Sequence, residues 1–188
     1  MPTVFTHALV AGSLGQAGKP GWRSNWRFWY LAVLCSILPD VDIVGFKFGI
    51  RYGDLWGHRG MTHSLLFAAI VAVVMAFRFA PAGRDRWKLM LLLFAITASH
   101  GVLDAMTNGG LGVAFFSPFN TQRYFFPWTP IEVSPIGAGG FFSARGSDVI
   151  WSEIVWIWGP ALVLGAIIWA LQRVRHRKPS VLKQDVPS

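Results

Sequence analysis

The chain has 188 residues, 53% hydrophobic and only 14% charged, with a mean hydropathy of +0.44. Soluble domains carry roughly 25% charged residues, so this composition, with ten Trp and fifteen Phe, excludes an ordinary water-soluble globule and points to a bilayer. The net charge of +8 does not indicate a nucleic-acid partner, because Lys and Arg fall in short loops and the tail rather than on an aromatic-interleaved basic face.

Five segments read as membrane-associated helices. The first, about 3–14, is too short to span alone, and His7 interrupts it. No basic region precedes an apolar core, so it does not read as a signal peptide. The second, 26–38, stops at Pro39, where proline ends a helix. Its Cys35, the single cysteine, reads as a small buried hydrophobe, which rules out a disulfide framework or a cysteine-based metal site. Segments 64–80, 87–103 and 150–171 are apolar enough to cross a hydrocarbon core of about 30 Å, and Gly159-Pro160 predicts a kink in the last. Residues 105–149 are rich in turn residues and aromatics, including Gly109, Gly110, Pro118, Pro127, Pro130, Phe125, Phe126 and Trp128. Such a segment suits a lid at headgroup level; the stretch Pro135 to Phe142 is counted in it. The expected fold is an all-α integral-membrane bundle: three firm spans, a shorter N-terminal helical pair and an aromatic outer lid. Residues 1–172 would form one domain, and 173–188 a basic, disordered cytoplasmic tail.

The basic residues set the sidedness. Loops 16–27 and 78–88 and the tail hold twelve of the seventeen Lys and Arg, so that face should be cytoplasmic and the site should face the periplasm. Four of the five histidines lie in short clusters on the opposite face: His7; Asp40 and Asp42 after Pro39; His58 and His63; His100 and Asp104. Glu153 belongs to the same level. Ionisable side chains are costly near lipid and mark sites, and His with Asp suits zinc, manganese or iron.

His100 and Asp104 are four apart on a helix and share a face. Asp40 and Asp42, in an extended or turn geometry, would point the same way, one ligating and the other orienting a histidine. His58 and His63 would ligate from a loop and from a helix start capped by Thr62. Arg59 and Arg123 are candidates for holding a phosphate or carboxylate. His176, in the basic tail, reads as a charge near anionic lipid. Three or four protein ligands plus a water would give a nucleophile with a pKa near about 7, and the number of candidates leaves room for one or two ions.

The blocks Leu38-Pro39-Asp40-Val41-Asp42, His58-Arg59-Gly60-Met61-Thr62-His63-Ser64 and His100-Gly101-Val102-Leu103-Asp104-Ala105-Met106-Thr107-Asn108-Gly109, after an early His7, resemble the bacterial inner-membrane metal-dependent hydrolase family typified by YdjM. Ser117-Pro118-Phe119 with Arg123 continues the pattern, so the resemblance covers about residues 1–125. A more distant similarity is to zinc-dependent phospholipase C and the P1-type nucleases. The resemblance implies an inner-membrane hydrolase of a phosphoester or lipid-like substrate, working through a metal-activated water. Metal ligands would come from His7, Asp40, Asp42, His58, His63, His100 and Asp104. Asp40, Arg59 and Glu153 would act in catalysis, and Arg59, Thr107, Asn108 and Arg123 would bind substrate. The cofactor would be a divalent ion, zinc first, with manganese or iron as alternatives. The partners would be membrane lipid and an amphiphilic or phosphate-bearing substrate. A metal or proton transporter, a haem protein and a non-catalytic, metal-stabilised membrane protein are the competing readings.

Overall fold

In the computed structural model, residues 1–80, 82–134 and 144–177 are described. Helix α1 (Val4–Gly15) is followed by a short α2 (Pro20–Arg23) and by α3 (Trp26–Ile37). A 3-10 run covers Leu38–Phe48 and a 3-10 turn Met61–His63. Then come α4 (Leu65–Phe79), α5 (Arg84–Ala105) and α6 (Ala144–Glu153). A π-helical turn, Ile154–Trp158, leads from α6 into α7 (Gly159–Arg177). No strand occurs among the described residues, only isolated bridges at Thr107–Ile131 and Val113–Tyr124.

Local chemistry explains the boundaries. Asn25 caps α3 by accepting from the Arg27 amide, and Ser64, not Thr62, caps α4 by accepting from the Phe67 amide. Pro39 does not stop the chain turning. Proline is tolerated in a first helical turn, and the chain tightens into the 3-10 run until Gly49, with φ 81, closes it. The expected kink at Gly159-Pro160 takes the form of the preceding π turn: Pro160 has no N–H for the carbonyl four residues back, and the helix widens to relieve the clash.

The core is the seam of α1, α3, α4 and α5. Ala11, Ala32, Ala72 and Ala76 are buried beside Leu31, Val71, Leu89, Leu93 and Ile96, and small side chains let the helices approach closely. Two helical stretches, Arg84–Ala105 and Gly146–Val174, are long and apolar enough to cross a membrane. The third expected span falls short: α4 has 15 residues, about 22 Å at the helical rise. Helix α7 exposes Leu162, Val163, Leu164, Ile167 and Leu171, an apolar surface with no polypeptide against it in the described residues and the character of a lipid-facing one. This helix also runs to Arg177, so residues 173–177 are helical rather than part of a disordered tail. The rest of that tail, and the lid stretch 135–143, lie outside the described residues. The described part of the lid is pinned down: Phe126 N donates to Ala105 O, Leu65 N to Phe115 O, and Ala114 N to Arg59 O.

Candidate metal centre

His100 and Asp104, one turn apart near the end of α5, are both fully buried, as their i, i+4 spacing predicts. Opposite them, the 3-10 turn presents His63. Its backbone approaches α5 where residue 101 is glycine; a Cβ there would stand 3.0 Å from His63 O. Gly60 permits the turn itself, since a Cβ there would meet Leu55 O at 2.4 Å. Arg59 just before it takes a left-handed φ of 63°, a conformation costing a non-glycine residue about 1–2 kcal/mol and held here by tertiary contacts.

Four ligand-type atoms converge. His63 Nε2 lies 3.2 Å from His100 Nε2 and 3.6 Å from Asp40 Oδ1. His100 Nε2 lies 3.3 Å from Asp40 Oδ1, and His63 Nε2 lies 3.5 Å from Asp104 Oδ2. Ligand bonds of about 2.0–2.1 Å in a tetrahedron give ligand–ligand edges of about 3.3 Å, so these residues fit a single small divalent ion. Their unmet polarity agrees. Asp40 Oδ1 and Asp104 Oδ1 are buried without a hydrogen-bond partner of good geometry, which native interiors rarely tolerate, and Asp104 Oδ2 is met by the Arg59 guanidinium. The donor set is nitrogen and oxygen without sulfur, suited to zinc, manganese or iron.

The outer contacts aim the imidazoles. His100 Nδ1 is 2.7 Å from Ser36 O; a carbonyl only accepts, so the proton sits on Nδ1 and Nε2 is free toward the centre. Asp42 does the same for His63, with Oδ2 3.1 Å from Nδ1. Asp42 is itself held by Thr62 Oγ1 at 2.6 Å, the Arg59 amide at 3.3 Å and His58 Nδ1 at 2.8 Å. Asp40 and Asp42 therefore reach the centre from different sides: in a 3-10 run, unlike an extended strand, residues two apart do not share a face. Asp42, His58 and His63 also form a compact group of ligand type, but the short bonds within it already satisfy these atoms.

Burial pushes the Asp42 carboxyl up, yet the hydrogen bonds from His58 and His63 outweigh it and bring it down to about 2. Asp40 is likewise raised by burial and then lowered below the ordinary carboxylate range by the imidazoles of His100 and His63 close beside it. Burial would lower His63, but its contacts with Asp104, Asp40 and Asp42 raise it well above the usual imidazole value. Without an ion, a proton on His63 compensates the crowded carboxylates.

The other expected residues take varied places. His7 stacks on His100 with ring centroids 3.8 Å apart and brings Nε2 to 3.8 Å from Asp104 Oδ1. Both its ring nitrogens are buried without a partner, so it borders the centre with free capacity. His58 stands behind, on Asp42. Arg59 is fully buried and faces Asp104 Oδ2 at 3.0 Å, Gly109 O at 2.8 Å and Thr107 Oγ1 at 2.9 Å. Arg123 donates to the carbonyls of His58, Tyr52 and Asp54. Asn108 Oδ1 accepts from Val133 N. The residues expected to hold substrate are thus engaged with protein groups, and they fasten the loops around the centre. Glu153 is drawn away altogether: it is fully buried and accepts from Thr3 and Thr6 at the start of α1, where a carboxylate meets free helix amides. Thr62, expected only as a helix cap, and the Ser36 carbonyl are contacts of the centre that the sequence does not assign to it. Thr62 lies inside the His58–Ser64 block, whereas a backbone carbonyl such as that of Ser36 leaves no sequence signal.

The model of the YdjM inner membrane protein family matches residues 1–177. The chain is 38% identical over 176 residues to inner membrane protein YbcI of Escherichia coli (strain K12), covering 92% of this chain and 100% of that protein. No solved structure matches. The chain belongs to the YdjM inner membrane protein family.

Proposed function

We propose that this member of the YdjM family is a membrane-bound, metal-dependent hydrolase of a phosphoester or lipid-like substrate. The convergence of Asp40 Oδ1, His63 Nε2, His100 Nε2 and Asp104 Oδ2, with Asp40 Oδ1 and Asp104 Oδ1 buried without a well-formed hydrogen bond, carries the reading. A bound zinc, manganese or iron ion would supply Lewis acidity and lower the pKa of water toward about 7. Asp42 and the Ser36 carbonyl hold the two imidazoles in the tautomers that leave Nε2 free. Arg59 offsets the charge of Asp104. His7, unpartnered beside Asp104, offers either a further ligand or a group that accepts a proton at a ring nitrogen. Access comes over Asp40, the one member of the four with measurable exposure, at 13%. Exposed Phe48, Trp56, Phe119 and Trp128 make that end of the bundle apolar and aromatic, which suits an amphiphilic substrate reached from the membrane interface. The basic loops lie at the other helix ends, so the site faces the periplasm and the C-terminus the cytoplasm.

A second reading has its own support. The near-complete burial of the four donors suits a closed structural ion, which would make the protein metal-stabilised but not catalytic. Metal analysis of the detergent-purified protein, joined to hydrolysis assays on phosphodiester, phosphomonoester and phospholipid substrates with chelation and metal restoration, separates the two. Stoichiometric metal with metal-restorable hydrolysis supports the hydrolase. Metal without hydrolysis, and unfolding on chelation, favours the structural ion. No bound metal after supplementation overturns both.

A further inference from the structure

The end of the bundle opposite the metal centre carries a cavity of about 850 Å³, lined in part by Lys19, Trp22, Lys88, Leu91, Leu92 and Gln172. It lies where the α1–α2 connection, α5 and α7 meet. Lys88 is exposed and has no ion-pair partner among the described residues. Lys19 is paired with Asp85 and lies 5.7 Å from the Trp22 ring centroid. Lys88, Leu91 and Leu92 share a face of α5 by their i, i+3, i+4 spacing. Because α5 runs inward from Arg84, the leucines sit about 5 Å deeper than the lysine. The cavity therefore has cationic and amphipathic groups at its mouth and an apolar floor one turn further into the bilayer.

We propose that this cavity is a binding site for an anionic glycerophospholipid of the adjoining leaflet. Its phosphate would lie against Lys88, with Lys19 beside it, and an acyl chain along Leu91 and Leu92. The order of charge and hydropathy with depth matches that of a phospholipid. Basic pockets between transmembrane helices recognise such headgroups. A soluble anion would leave the leucine floor unused, and a zwitterionic lipid would bring a cation of its own toward Lys88 and Lys19. The site is independent of the proposed hydrolase activity, being built from other residues at the other end of the fold.

The test is native mass spectrometry of the full chain in detergent, titrated with dioleoylphosphatidylglycerol or dioleoylphosphatidylcholine. The expected result is preferential retention of phosphatidylglycerol, falling about fivefold or more in Lys88→Glu. Leu91→Trp, which fills the floor without removing charge, should weaken it as well, and Arg51→Glu at the opposite end should leave it unchanged. Millimolar inorganic phosphate should not displace the lipid. Equal binding of the two lipids, an unaltered affinity in both Lys88→Glu and Leu91→Trp, or displacement by inorganic phosphate would overturn the proposal.

Discussion

Replacing Asp42 with alanine isolates the contribution of the outer hydrogen bonds from that of the ligands themselves. Asp42 bonds His63 Nδ1 at 3.1 Å and His58 Nδ1 at 2.8 Å, and it accepts from Thr62 Oγ1 at 2.6 Å. In the alanine variant His63 keeps its place in the 3-10 turn but loses the carboxylate that fixes its ring and raises its basicity. Loss of such a partner typically costs 10–100-fold in metal affinity, about 1.4–2.8 kcal/mol. Asp42→Asn keeps one acceptor toward Thr62 and His63 and turns an amide toward His58, so it should fall between alanine and the parent. Asp40→Ala, which removes an oxygen 3.3 Å from His100 Nε2, should lose more than either Asp42 variant. The assay is zinc competition against a chromophoric chelator, with detergent-purified proteins at one pH. A larger loss in Asp42→Ala than in Asp40→Ala would refute the assignment and move Asp42 into the ligand set.

Asp104→Ala should lose both metal and stability, because it leaves the Arg59 guanidinium buried without its carboxylate; breaking a buried pair costs about 3–5 kcal/mol. Thermal unfolding in detergent should show this even in metal-free protein, and an unchanged midpoint would contradict it. Arg59→Lys should likewise destabilise the loops, since one ammonium cannot replace contacts to Asp104, Gly109 O and Thr107 Oγ1 together; unaltered proteolysis at residues 107–112 would count against that role. Glu153→Gln should leave metal content intact, as Glu153 bonds Thr3 and Thr6 rather than the centre; stoichiometric metal loss would place it in the ligand set. Metal loading at neutral pH should release a proton from His63, which its carboxylate neighbours keep protonated in the metal-free protein. Apparent affinity should therefore weaken as pH falls. Calorimetry in buffers of different ionisation enthalpy measures the release, and zero protons at pH 7 would disprove it.

Four of the helices, and the end of the bundle that holds the His and Asp clusters, are legible in apolar runs and charge placement, whereas the helix at Pro20–Arg23 and the start of α6 at Ala144 are not. Apolar length places α1, α3, α4 and α5 to within a few residues, because burial and hydrogen bonding of a helix are local to the segment. The spacing of His100 and Asp104 fixes a common helix face for the same reason, and the separation of basic loops from the His and Asp clusters puts them at opposite helix ends. Which group does what depends on contacts between segments far apart in the chain. Asp40 and Asp42 are chemically equivalent two residues apart; the 3-10 path after Pro39 turns one toward the imidazole Nε2 atoms and the other toward His58 and Thr62. Arg59, Arg123 and Glu153 have the composition of a catalytic set, yet their partners are Asp104, backbone carbonyls and the start of α1. Those partners lie 45 to 150 residues away along the chain. No local pattern encodes such pairings: a buried charge takes whichever complementary group the packing of the helices brings beside it.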